Sequence, residues 1–296
     1  MAPKKKRQKR RTKKFKTLLL ICGCALAGAA TAALLTLGVL LHSQGPALPP
    51  LEEGLGNHSI PQGIPSRKTD RERQLHLPRI VIIVDDLGYD LNIAQRILAL
   101  DLPLTLSILP DAPETGAVVK EGHKKGSELM LHLPMEPENF PSLNPGPGAL
   151  LVDMGDEKIL HVLASDLEQV PGARGVNNHM GSYFTEKRDK MVVVLGELKR
   201  RHLYFIDSRT TTKTVAYTLA KEMGVPTANR NVFLDDILSS RAIGIQMRRL
   251  MGIAKASGGA IGICHPHPKT IEMLKAYAPR LKKEFQVVYA SDLVSR

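Results

Sequence analysis

Two adjacent carboxylates, Asp85 and Asp86, end an unbroken β-branched run, Ile80-Val81-Ile82-Ile83-Val84, and are followed by Leu87-Gly88. Such a run suits a strand buried on both faces, so the acids emerge at its C-terminal mouth. Adjacent carboxylates repel, and a pair in a cleft takes a cation or shares a proton. The plainer alternative is that they cap the next helix, whose Leu91, Ala94, Ile97 and Leu98 follow helical spacing. Polar clusters recur downstream: His132 with Glu136, Asn177-Asn178-His179 with Ser182, Asp207-Ser208-Arg209-Thr210-Thr211, and His265-Pro266-His267. Singly, each has an ordinary reading as a loop histidine, turn residue or N-cap. Together they supply a carboxylate and two imidazoles, the ligand set of a catalytic Zn²⁺ with an open position. Oxygen and nitrogen ligands would also accept Mn²⁺, Fe²⁺ or Co²⁺. Water acidified there could attack a carbonyl, a carboxylate taking its proton and a further histidine protonating the leaving group.

Convergence of these residues requires that each cluster follow a strand on one face of a sheet. The pattern predicts strands at Ile80–Val84, Leu104–Ile108, Glu128–His132, Gly175–Asn178, Leu203–Asp207, Ala260–Cys264 and Gln286–Tyr289, with a weaker one near Val232–Leu234. Helical spacing fills most intervals: Ile93–Leu100, Ala117–Lys125, Glu157–Gln169, Arg188–Arg201, Thr214–Met223, Ile243–Lys255 and Lys269–Leu281. Alternation of this kind specifies parallel β/α units. Seven or eight of them predict a distorted α/β barrel rather than a flat doubly wound sheet. No GxGxxG or GxxxxGK[ST] loop is present to signal a dinucleotide or NTP. After His132 the chain runs LPMEPENFPSLNPGPGALLVDMGD, with little periodicity; a long loop off a strand end reads as a substrate cover.

The formal net charge is +12, but residues 1–16 hold ten of the basic side chains and no acid, and the remaining 280 residues carry 31 basic against 29 acidic. The folded part therefore gives no reason to expect nucleic acid as a partner. Residues 17–41 follow without a charge, 25 apolar or small residues, more than the ~20 a spanning helix needs. With Lys and Arg only on its N-terminal side, this reads as a signal anchor: residues 1–16 cytoplasmic, the rest exported across the membrane. A cleaved signal peptide is the rival, with a core of ~7–15 residues as its usual length. Residues 42–78 are rich in Pro and Gly and read as a flexible tether, leaving 79–296 as the domain. Cys264 is the only cysteine beyond the apolar stretch, so no disulfide forms within the exported part.

The ordered motifs DDLG, HLPMEP, NNHMGS, FIDSRTT, FLDD and GICHPHP resemble the divergent polysaccharide deacetylases. These are a bacterial envelope branch of the wider NodB-like group of carbohydrate esterases with a distorted (β/α) barrel. The likeness spans about residues 79–292. It implies Asp85 as catalytic base, Asp86 and His132 as metal ligands, His265 as the late catalytic histidine and Arg209 as an acid-orienting or substrate-binding arginine. The wider group's second metal-binding histidine would fall where Glu136 stands, and His179 is the candidate to replace it. Glu136, Asn178, Ser182, Asp207 and His267 are assigned to substrate binding.

The function expected is metal-dependent removal of acyl groups, acetyl foremost, from a cell-envelope glycan, by a domain anchored in the bacterial inner membrane and with zinc as cofactor. A different class, an idle glycan-binding or scaffold protein that kept the pocket, is suggested by the departure at Glu136. A phosphoester hydrolase would need a second metal, for which Asp235 and Asp236 are the spare acids. With no Trp in the chain, sugar stacking would fall to Tyr89, Phe140, Tyr183 and Phe184.

Overall fold

The computed structural model describes residues 76–294. The predicted tail, anchor and most of the tether lie outside these residues; among the described ones no helix is long and apolar enough to cross a membrane. Regular structure begins at Arg79.

Among the described residues there are nine strands: β1 (Arg79–Leu87), β2 (Thr105–Ile108), β3 (Leu129–Met135), β4 (Gly175–Met180), β5 (Tyr204–Asp207), β6 (Thr227–Asn229), β7 (Val232–Phe233), β8 (Gly259–Cys264) and β9 (Gln286–Val288). Seven helices alternate with them: α1 (Leu91–Leu98), α2 (Thr115–Lys125), α3 (Asp156–Gln169), α4 (Arg188–Arg200), α5 (Ala216–Met223), α6 (Ser240–Ser257) and α7 (Pro268–Glu284). The strands form one sheet in the order β6-β5-β4-β3-β2-β1-β8-β7, with β9 beside β1, and every pairing is parallel. On one edge of β1 the partners change along its length: β9 meets Arg79 to Val81, and β2 takes over from Ile83.

The predicted barrel is thus present in distorted form. No ladder joins its end strands, β6 and β7; the two residues between them cross the seam. Arg230 N–H donates to the Asp207 carbonyl at the end of β5, and Asn231 N–H donates to the Ile261 carbonyl in β8. Strand β6 was not among the sequence expectations, because three residues, Thr-Ala-Asn, carry no alternation to read.

Alternation within each strand divides the core. Ile80, Ile82 and Val84 of β1 join the large cluster that packs the sheet against the helices. Val81 and Ile83 join a second cluster inside the barrel, with Met130, Tyr204, Ile206, Ile261 and Ile263. Carrying that inward series one step further along each strand, at a period of two, reaches Asp85, His132, Ser208 and His265. The apolar plug therefore ends where the polar residues begin.

Candidate active site

Asp85 is 2% exposed and continues the inward series of β1. Asp86 should face outward by alternation. It does not, because the β1–β2 register shifts between Val84 and Leu87 and Asp86 adopts a left-handed φ of 56°, turning its carboxylate back to the mouth. Gly88, at φ 128°, completes the turn. Neither acid caps α1; that role belongs to Asp90, whose Oδ1 accepts from the N–H groups of Asn92 and Ile93.

Asp86, His132 and His179 come together from β1, β3 and β4. Asp86 Oδ1 lies 3.1 Å from His132 Nε2 and 3.0 Å from His179 Nδ1, and the two ring nitrogens are 3.1 Å apart. Asp86 Oδ1 is buried, yet no donor is aligned to hydrogen-bond it. Three N and O donors about 3 Å apart suit a shared ion at bond lengths of about 2.0–2.2 Å. Burial pushes the Asp86 carboxyl up, but the contacts and charges of His132 and His179 outweigh it and hold the group well below the usual carboxylate range. Burial likewise opposes charge on His132, and Asp85, then Asp86 and Asn177, override it and raise the imidazole. The trio is built around one positive charge, and its donor set fits a divalent cation.

Asp85 flanks this trio, with Oδ2 3.7 Å from His132 Nε2 and Oδ1 accepting from Asn177 Nδ2 at 2.8 Å. His265 follows β8, and its Nδ1 lies 3.0 Å from Asp235 Oδ1. Burial disfavours the His265 imidazolium, but the Asp235 hydrogen bond and charge, with Asp85 and Asp86 beyond, raise it to about 9. Phe233 stacks on one side of the ring at 5.9 Å between centroids, and Arg230 covers Phe233 at 3.6 Å. Asp235, His265 and His267 form a second trio with one donor each within 4.8 Å. Asp235 is already engaged there, accepting from His265 N–H and from Thr270 Oγ1, which suits a proton-transfer pair rather than an ion site. Between the β1–α1 turn and His265 lies a cavity of about 270 Å³, lined by Asp86, Leu87, Gly88, Tyr89, Ile93, Pro266 and His267 among others.

The residues assigned to substrate binding divide. His267 lines the cavity. Glu136 does not join the trio: its Oε2 accepts from Val152 N–H at 2.6 Å, fastening the long loop after β3. Ser182 Oγ accepts from Glu138 N–H. Asn178 accepts from Ser208 N–H and donates to the Met180 carbonyl. Asp207 accepts from Arg209 N–H, Thr214 Oγ1 and Tyr217 N–H, tying the turn after β5 to the start of α5, where the plainer expectation was an N-cap. Arg209 is exposed and no contact ties its side chain to Asp85; the group that holds Asp85 is Asn177. Of the aromatics, Phe184 is fully buried, while Tyr89 is 63% exposed and Phe140 and Tyr183 are partly so.

Sequence reasoning gave Asn177 no role beyond its polar cluster, took Asp235 only as a spare acid for a second metal, and passed over Arg230; strand parity held the signal for the first two. Asn177 and His179 share the inward face of β4, whereas Asn178 lies one residue off it. Asp235 stands two residues from the inward Phe233.

The family model of divergent polysaccharide deacetylases matches residues 82–294. The chain belongs to the divergent polysaccharide deacetylase family. The chain is similar to the uncharacterized protein YibQ of Escherichia coli K12, 34% identical over 217 residues, covering 73% of this chain and 67% of that one. An uncharacterized Haemophilus influenzae protein is 33% identical over 215 residues, 73% of this chain and 76% of that one. The crystal structure of the uncharacterized protein ATU2773 from Agrobacterium tumefaciens C58 shares the fold, with a TM-score of 0.71 at 24% identity over 74% of this chain and 90% of that one.

Proposed function

We propose that this divergent polysaccharide deacetylase is a membrane-tethered, metal-dependent hydrolase that removes acyl groups, acetyl foremost, from a cell-envelope glycan. The observation that carries this reading is the placement of Asp85 beside the Asp86–His132–His179 trio, with the Asp235–His265 pair on the same mouth. Asp86, His132 and His179 would hold the ion, zinc by ligand type. When bound, a divalent cation supplies positive charge that polarises an acyl carbonyl and acidifies water. Asp85 accepts the proton of the water that attacks the carbonyl carbon. His265, protonated at neutral pH, gives its proton to the departing amine or hydroxyl as the acyl bond breaks, and Asp235 keeps Nδ1 engaged so that Nε2 is the donating atom. The idle-scaffold reading drew on the glutamate at position 136; His179 beside Asp86 and His132 supports the hydrolase reading over it.

The reading is tested by loading the protein with zinc and assaying acetate release from acetylated peptidoglycan fragments and chitooligosaccharides. Release that depends on zinc and disappears in Asp85→Ala is expected. No release above the Asp85→Ala background with several substrates and metals would overturn it. The tether rests on the uncharged stretch at residues 17–41 with its basic N-terminal flank. Reporter fusions placed after residue 78 should show the domain on the periplasmic side.

A further inference from the structure

Asn177 is fully buried on β4, and both ends of its amide are engaged. Its Nδ2 donates to Asp85 Oδ1 at 2.8 Å and to Ser208 Oγ at 3.3 Å. Its Oδ1 accepts from Ser107 Oγ at 2.7 Å and lies 2.8 Å from His132 Nδ1. The orientation of the amide is dictated by its neighbours. An Asn177 flipped end for end would point its carbonyl at the Asp85 carboxylate, two acceptors face to face in a buried site. With Nδ2 committed to Asp85, the atom facing His132 is a carbonyl oxygen, which only accepts. His132 Nδ1 must therefore carry hydrogen, which leaves Nε2, facing Asp86 Oδ1 and His179 Nδ1, as the nitrogen that would give its lone pair to a cation, the orientation a metal-binding imidazole needs.

We propose that Asn177 is the positioning residue of this site, a single amide that sets the ring tautomer of His132 and the orientation of Asp85 together. The inference rests on the metal-dependent reading above for what is being positioned. Ligand and base stand on β3 and β1, which are not paired with each other, and Asn177 on β4 joins them through one rigid group. Removal of Asn177 would free His132 to adopt the other tautomer and leave Asp85 without its donor. Loss of Ser107 would remove a bond to the same oxygen but leave both links in place.

The test uses the full-length chain in detergent, as wild type, Asn177→Leu and Ser107→Ala, with zinc affinity measured by competition against a chromophoric chelator and melting followed without metal. Asn177→Leu is expected to weaken zinc binding by about 10–100-fold, the usual effect of losing a partner behind a metal ligand, with kcat falling more than KM rises. Ser107→Ala is expected to stay within about threefold of wild type, even where its melting shift matches that of Asn177→Leu. Zinc affinity of Asn177→Leu within threefold of wild type, an equal loss in Ser107→Ala, or no zinc binding by the wild type would each overturn the proposal. Should Asn177→Leu fail to fold, the wild type decides: ¹⁵N shifts of the His132 ring in the zinc-loaded chain should show hydrogen on Nδ1, and hydrogen on Nε2 refutes it. A wild type that binds zinc but releases no acetate would remove the hydrolase reading and leave the zinc comparison standing.

Discussion

In the proposed reaction two groups divide the proton transfers. Asp85 must be ionised to take a proton, whereas His265 must be charged to give one, and its raised value of about 9 keeps it charged through neutral pH. The expected profile of kcat/KM therefore falls on the alkaline side as His265 loses its proton. The apparent pKa lies at or below about 9, because a cation in the trio offsets the share of that shift owed to Asp86. Asp235→Asn removes the strongest raising influence, so the alkaline limb should move down by about one unit or more and kcat should drop about 10–100-fold. An unmoved limb would take His265 out of the proposed acid role. Legibility at this scale followed residue type: Asp85, Asp86, His132, His179 and His265 were recognisable because few other side chains do their chemistry. Asn177 and Asp235 stood out only as a polar cluster residue and a spare acid, since an amide and a carboxylate that act through a neighbour look in sequence like any turn residue.

Strands and turns set which of those residues can meet. Parity explains why Asn178 and Asp207 stand off the inward face: each follows an inward residue by one position, and a one-residue step reverses the face. Asp86 breaks parity and still reaches the site, through a register shift and a left-handed φ that no hydrophobic pattern announces. The strand and helix positions themselves were legible almost throughout, because buried β-branched runs alternate with amphipathic stretches; only β6 was too short to read. Gly88→Ala should test how much the β1–α1 turn depends on its conformation. An added Cβ would lie 2.9 Å from the Ala112 Cβ at a φ of 128°, so a loss of about 1–3 kcal/mol in stability is expected, read from denaturant melts. The long loop after β3 invites a separate test. Glu136→Ala frees Val152 N–H and should cost about 1–3 kcal/mol, while zinc affinity stays within about threefold if Glu136 fastens the loop rather than binding the ion.

Across the whole domain, the pH dependence of stability has a source remote from the mouth. Asp166 on α3 is 1% exposed, its Oδ2 has no partner, and burial followed by the Asp111 charge raises its carboxyl to about 8. The unfolded chain releases that proton near pH ~3.9 and the folded chain near 8. Between those values the folded state holds more protons, so stability falls as pH rises and the favourable contribution is gone above the folded value. Asp166→Asn should flatten this slope, gaining about 1–3 kcal/mol over wild type at pH ~9 with the advantage shrinking toward pH ~5. Parallel chemical-denaturation curves at several pH values would measure it, and identical slopes would refute it.

The break between β6 and β7 bears on how the molecule yields. Elsewhere neighbouring strands are joined by ladders of backbone bonds; there, one backbone N–H reaches each flanking strand, Arg230 to Asp207 and Asn231 to Ile261, and side chains add the rest, Arg230 Nε and Nη2 donating to the Ser208 and Arg209 carbonyls and Asn231 Oδ1 accepting from Ile261 N–H. Backbone protection is thinnest where the ladders stop. Backbone deuterium uptake should therefore run faster at residues 229–232 than in β1 or β3, and Asn231→Ala should quicken it further. Because Ser208 and Asp235 stand on opposite sides of that gap, its loosening would part the walls of the mouth between β5 and β8 while Asp86, His132 and His179, all on the laced side, keep their spacing.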